Sequence, residues 1–456
     1  MRATEAAPAQ AAAPQAPSAI YAPGLEGVIA AETSLSRVDG ERGQLVLRGH
    51  EVEDLAGRAS FEQVVALLWT GDLDGLPGLA RALGRARVAA HARLALIGDA
   101  LEREDGMDAL RAALAHGLAE GGEHGGVGSA ADALGSGPGA AGSVAESSPS
   151  AAGSAADALG SGSATADQRE AWATSIGILG ALPVYVAGWW RRQAGLAPVA
   201  PDPTLGHAAD YLRLLRGAPA SEAEARALDA YLVTVIDHGF NASTFAARVV
   251  ASTWSDPVSA VVAAVGALKG PLHGGAPGPV LDMLDAIAAA PAPAALALAA
   301  NAAGGESARD GARDEARAEA WVRAELAAGR RIMGMGHRVY RVRDPRAAVL
   351  ERAVGELAAP RLPLARAAEA AAARVLGERK PGRALAANVE LYTALLLDAV
   401  GLDRRLFTPT FAVARGAGWL AHVREQRESG RLIRPRARYV GPEPQGAAGA
   451  AREAVG

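Results

Sequence analysis

The sequence predicts an all-α fold, and three observations carry that reading. Half of the residues are apolar and alanine dominates them. Alanine is the best helix former and lets helices pack closely. From Val52 onward, apolar residues recur at helical spacing in stretch after stretch. Strand chemistry is confined to one region, residues 27–48.

Taken in order, residues 1–22 are rich in Ala, Pro and Gln, the composition of a disordered tail. They hold no leucine-rich apolar core, so no secretory signal is expected and the cytoplasm is the expected compartment. VIAAETSLSRV and GQLVLRG then flank Asp39-Gly40-Glu41-Arg42-Gly43, good turn chemistry for a β-hairpin. Ser60 with Gln63 three residues on reads as a capping box. LPGLARALGRARVAAHARLALIGDALE and DALRAALAHGLAE continue in the helical manner.

Residues 120–168 break the pattern. They are rich in Gly, Ser and Ala, and GSAADALGSG occurs at 128–137 and again at 153–162. Such a repeat reads as a duplicated linker inside a flexible surface insertion. Its length is tolerable because closure entropy grows only logarithmically.

Helical texture resumes at Asp167. Residues 171–190 are uncharged and long enough to raise the membrane question. Thr174, Ser175, Pro183 and three glycines inside them favour a buried core helix. Ser221 is an N-cap, and Leu228, Leu232, Val235 and Ile236 form an apolar stripe. PVSAVVAAVGAL delivers the chain to His273. Residues 280–330, with the run AAAPAPAALALAA inside, are helix-rich, as are 347–377 and 389–430. RLIRPRARYVGP is extended and basic, and 442–456 is a frayed tail.

A chain of 456 residues exceeds what one core usually holds, so two domains are expected. The formal charge is −4 with both signs interspersed. No basic face for nucleic acid is visible. There is no cysteine, which excludes disulfides, thiolate metal sites and a cysteine nucleophile. Lysine occurs only at Lys269 and Lys380, so arginine, suited to carboxylates and phosphates, supplies the positive charge.

Three stretches carry the chemistry. His273 lies in GPLHGGA, where a preceding proline and following glycines suit a helix terminus that a ligand can approach. His337 lies in GMGHR; Gly334 and Gly336 leave backbone N–H groups to face a ligand. Arg338, Arg341, Arg343 and Arg346 crowd the next positions. That crowding suits an anionic ligand and equally a solvated basic helix start. Glu390, in Asn-Val-Glu, is a carboxylate at a helix start, where it also serves the helix dipole. His238, alone at the end of an apolar helix, reads as a satisfied core residue. His238, His273, His337 and Glu390 lack the short i, i+4 pairing of a metal site, and no metal is expected.

The stretches GPLHGGA, GHRVYRVRDPRA and NVELYTALLLDAVGL, with LFTPTFAVARGAGWLAHVREQ and RLIRPRARYVG after them, resemble the citrate synthase family. The likeness runs from about 24 to 115 and from about 170 to 441. It implies a large helical domain and a smaller one: 23–277, carrying the insert, then 278–385, with 386–441 completing the site and the large domain. The implied reaction is condensation of acetyl-CoA with oxaloacetate through an enol, then hydrolysis of citryl-CoA, a step of the tricarboxylic acid cycle. Nothing is expected to be tightly bound; acetyl-CoA or propionyl-CoA is a co-substrate.

By resemblance, His273 hydrogen-bonds the thioester oxygen, His337 polarises the ketone, and Glu390 is the base where the family usually has aspartate. His238 and Asn241 lie by oxaloacetate, whose carboxylates Arg346, Arg415 and Arg434 clamp. Arg434 acts across a homodimer interface. Met333, Gly334, Met335, Gly336 and Arg341 match the CoA-binding segment. Alternatives are a 2-methylcitrate synthase using propionyl-CoA and a ligand-binding paralogue without turnover. Glu390 reaches about 1 Å further than aspartate, enough to cost roughly 100-fold if uncompensated.

Overall fold

A computed structural model describes residues 21–118, 166–273, 277–291, 306–337, 339–379 and 385–442. Residues 1–20 and 443–456 of the expected tails, the insert to residue 165, and residues 292–300 of the alanine–proline run lie outside them. So do Gly274, Gly275 and Arg338. Two compact units are present. One is Thr33–Ile433. The other joins described residues 21–32 with 434–442; within it Arg438 lies over the Tyr21 ring at 4.8 Å.

The fold is all-α, as the sequence predicts. The hairpin forms but is shorter than 27–48. β1 (Ser36–Asp39) pairs antiparallel with β2 (Gln44–Leu47), register Ser36 to Leu47 and Asp39 to Gln44. β3 (His50–Glu51) adds a third strand. Leu45 and Leu47 on alternate positions are buried and seat the sheet on the core.

Helices follow: α1 (Val52–Leu55), α2 (Phe61–Thr70), α3 (Leu79–Ala92), α4 (Gly106–Gly117), α5 (Ala166–Gln193) and α6 (His207–Arg216). Next come α7 (Glu222–Val235), α8 (Ala242–Ser252), α9 (Pro257–Leu268), α10 (Pro277–Ala289) and α11 (Glu306–Ala327). α12 (Pro345–Glu356), α13 (Leu362–Arg379), α14 (Val389–Ala399) and α15 (Phe407–Ser429) follow among the described residues. Ser60 and Ser221 both make full capping boxes, with Gln63 and Glu224 answering. α5 is the long apolar stretch. Across Trp172–Gln193 an 18-residue apolar window is 89% buried, packed against α3, α4, α6 and α15, so within the protein α5 is a core helix.

Two of the helical patterns are broken by turns. The stretch that opens at Ser221 breaks at 236–241, between α7 and α8, and the 389–430 run breaks at 400–403. Asn241 and Gly401 supply the cap and the left-handed turn there. Asp344 caps α12 with Pro345 in its first turn.

Candidate active site

α7 gives way to Asp237-His238-Gly239, turned by Gly239 at φ +58. Asn241 then caps α8. Its Oδ1 accepts the N–H groups of Ser243 and Thr244 at 3.1 Å each and the Ser243 hydroxyl at 2.7 Å. Its Nδ2 donates to Thr244 Oγ1 at 3.0 Å. The Asn241 side chain is therefore held as a helix cap beside the site. His238 is half-buried, with Nε2 3.2 Å from the Tyr340 hydroxyl. Its ring stands edge-on to His337 at 5.6 Å. Burial, with the charges of Arg346 and Arg415, holds its pKa well below the usual value, so it is neutral near pH 7.

His273 sits in a turn beyond α9, its N–H bonded to Gly270 O at 2.9 Å. It is not at the helix terminus that its proline and glycines suggested, because α9 closes at Leu268. Its Nε2 lies 2.9 Å from Ser243 Oγ and receives the Ser243 N–H at 3.3 Å. Trp419 Nε1 donates to the same Oγ at 3.1 Å. With Nε2 as acceptor, the ring proton sits on Nδ1 and is free to donate. Burial and the Arg415 charge press the His273 pKa down to about 4.

The 333–340 segment is built on glycines for a reason the sequence hid. Gly334 and Gly336 are left-handed, at φ +72 and +79. Met335 bridges Ala387, Gly336 N–H donates to Ala386 O at 2.8 Å, and Asn388 N–H to Gly334 O at 3.0 Å. The N–H of Gly336, expected to face a ligand, is thus spent on the strand that leads to Glu390. His337 Nδ1 accepts from Val339 and Tyr340 N–H at 3.0 and 3.1 Å. That fixes the neutral ring's proton on Nε2. Burial and Arg346 push its pKa to about 4.

Asp344, fully buried, ties the pieces together. Its carboxylate accepts Arg346 Nε at 3.0 Å, Arg346 Nη2 at 2.8 Å and Val389 N–H at 3.2 Å. Glu390 follows one residue later, its N–H capped by Asn388 Oδ1 at 3.0 Å. Burial raises the Glu390 pKa to about 7; Arg346 pulls it down and Asp344 pushes it up. The Arg346 charge therefore acts on His238, His337 and Glu390 together.

Arg415, also buried, donates from Nε to Val235 O at 2.6 Å and lies over the Phe411 ring. Desolvation drops its pKa to about 10, so it stays charged. Arg343 is bound to Glu369 and Glu351, and Arg341 is exposed. Arg434 is exposed and belongs to the other compact unit. Among the described residues no cluster of His, Asp and Glu could hold a metal. Sequence reading passed over Tyr340, Asp344, Ser243 and Trp419. Asp344 had a signal, Asp-Pro-Arg at a helix start; a buried serine and tryptophan have none.

The arrangement pairs two neutral imidazole donors with a carboxylate poised near neutrality and two buried guanidinium groups. Comparison with known proteins places it. The model for "Citrate synthase, C-terminal domain" matches residues 24–436. The chain is 37% identical to a citrate synthase of Haloferax volcanii, spanning 92% of this chain and 95% of that one. It is 33% identical to a 2-methylcitrate synthase of Mycobacterium tuberculosis over 92% of this chain and 90% of the other. The solved citrate synthase of Pyrobaculum aerophilum superposes with a TM-score of 0.70, at 29% identity over 98% of both chains. Sequence match, fold and helical architecture agree: the chain belongs to the citrate synthase family and is a condensing enzyme of that family.

Proposed function

We propose that this site joins the acetyl group of acetyl-CoA to oxaloacetate, and the observation that carries the reading is the protonation pattern. A thioester α-proton is weakly acidic, so its removal needs a strong base and a donor on the carbonyl oxygen. Glu390, with a pKa raised to about 7, is the base. His273 Nδ1–H is the donor that stabilises the enol oxygen. The enolate carbon attacks the ketone carbon of oxaloacetate; the ketone oxygen, hydrogen-bonded by His337 Nε2–H, becomes an alkoxide and takes up one proton, which balances the one Glu390 removed. Water then cleaves the citryl thioester, releasing citrate and free CoA.

Arg346 and Arg415 suit the two carboxylates of oxaloacetate, with His238 beside them. Arg434 completes the clamp from a partner subunit of a homodimer, and Met333, Gly334, Met335, Gly336 and Arg341 receive CoA. Closure of the 278–385 lobe on the 23–277 lobe expels water before condensation. This is a cytoplasmic step of the tricarboxylic acid cycle.

Purified protein supplied with both substrates releases free CoA thiol, and His273→Ala does not. Equal release from both proteins overturns the assignment. The M. tuberculosis relative supports a second reading, propionyl-CoA as the acyl donor. One methylene is worth about 1–3 kcal/mol in a pocket, so the kcat/KM ratio for the two thioesters decides between them.

A further inference from the structure

β1 reaches both oxaloacetate-side histidine loops. At its start the Ser36 hydroxyl donates to Asp237 Oδ2 and accepts the Gly239 N–H at 3.0 Å. These are the residues on either side of His238. A Cβ on Gly239 would lie 3.3 Å from Val38 Cγ2, so β1 packs closely along this loop. At its far end the turn meets the His337 segment. Arg341 N–H donates to Gly40 O at 2.9 Å.

A Cβ on Gly40 would fall 2.2 Å from Val339 O, and one on Gly43 would fall 2.5 Å from Val342 Cγ2. Val339 is one of the two residues whose N–H groups hold His337 Nδ1, with Tyr340 the other. Gly40 has no left-handed backbone to explain its glycine; the close approach alone excludes a side chain. Four residue steps separate the two contacts, about 13 Å of strand. Buried Leu45 and Leu47 on β2 hold that strand against the core.

We propose that the hairpin is a spacer that sets the distance between His238 and His337, with Ser36 and Gly40 as positioning residues for oxaloacetate. The inference rests on the reading that these histidines face oxaloacetate. Relieving a 2.2 Å contact moves the Val339 segment by about 1 Å, a displacement that costs on the order of 100-fold in rate.

The test compares wild type with Gly40→Ala, Ser36→Ala and Gly49→Ala. Gly49 lies in the next turn of the same sheet at φ +90 with open space at its Cβ, so it reports backbone strain without the contact. Gly40→Ala should lose about 100-fold in kcat/KM for oxaloacetate. Ser36→Ala should raise the oxaloacetate KM about tenfold and leave the acetyl-CoA KM within about twofold. Gly49→Ala should match wild type.

The inference is overturned if Gly40→Ala and Ser36→Ala stay within about threefold of wild type, or if Gly49→Ala falls as far. Should Gly40→Ala fail to fold, Ser36→Ala decides alone. A wild type that turns over no oxaloacetate sinks the functional reading. The spacer is then judged by the imidazole ¹⁵N signals of His238 and His337 in ligand-free protein, which must shift in Ser36→Ala and not in Gly49→Ala.

Discussion

Glu390→Asp is the sharpest perturbation of the proposed chemistry. The variant installs the residue type that the resemblance leads one to expect at this position, so a site built for aspartate would gain from it. The local structure argues the opposite. Glu390 enters α14 directly after the Asn388 cap, and Asn388 is locked to Gly334 and Gly336 by hydrogen bonds of 3.0 and 2.9 Å. Val389 is locked to Asp344 at 3.2 Å. With the backbone pinned just before Glu390, the shorter side chain cannot be carried forward. Its carboxylate retreats about 1 Å, worth roughly 100-fold, or about 2.7 kcal/mol of barrier. Initial rates of thiol release at saturating acetyl-CoA and oxaloacetate measure this, with a thermal melt to show that folding is intact. A Glu390→Asp enzyme faster than wild type would refute the reasoning.

Three further outcomes follow. Asp229 is pushed up to about 7 from 3.8 by burial and by Glu62. Its raised pKa means its stabilising contribution is complete below 3.8 and lost as pH rises through about 7. Asp229→Asn should therefore unfold at higher urea than wild type at pH 8, by roughly 1–3 kcal/mol, with the gap closing toward pH 5. Buried Arg248 donates to Gln426 Oε1, His422 Nδ1 and Glu425 Oε2 at 2.9, 3.0 and 2.6 Å. Arg248→Met removes all three bonds and should cost about 3 kcal/mol, read from the urea midpoint. Arg415→Lys loses the planar fork and the bond to Val235 O. It should raise the oxaloacetate KM about 10–100-fold, measured at saturating acetyl-CoA.

The elements legible in sequence were those specified locally. Capping boxes at Ser60 and Ser221, the hairpin turn, and the apolar run of α5 each rest on residues within a few positions of one another. Among the site residues, His273, His337 and Glu390 stood out because glycine or helix-start context surrounds them. What stayed hidden depends on partners far along the chain. Trp419 and Ser243 meet across 176 positions, and Ser36 meets Asp237 across 201. Gly334 and Gly336 were visible as glycines, but their purpose is to pair with 386–388, a strand too short to announce itself.

Charge accounting links these placements to the order of events. Within the cleft Arg346 is matched by Asp344, and Arg415 by nearby Asp237. His273 and His337, both near 4, are neutral at working pH. Before the diacid binds, the site therefore carries little net charge apart from Glu390. A keto-diacid entering it adds two negative charges beside a carboxyl already at about 7. Like charge raises that pKa further, so the bound diacid makes Glu390 a stronger base just before the thioester arrives. The acid limb of kcat/KM for acetyl-CoA, measured at saturating oxaloacetate, reports this complex and should fall above pH 7. The limb of kcat/KM for oxaloacetate reports the site before the diacid binds and should fall near 7. Coincident limbs would mean that the diacid's charge does not reach Glu390, and the base would have to be sought elsewhere.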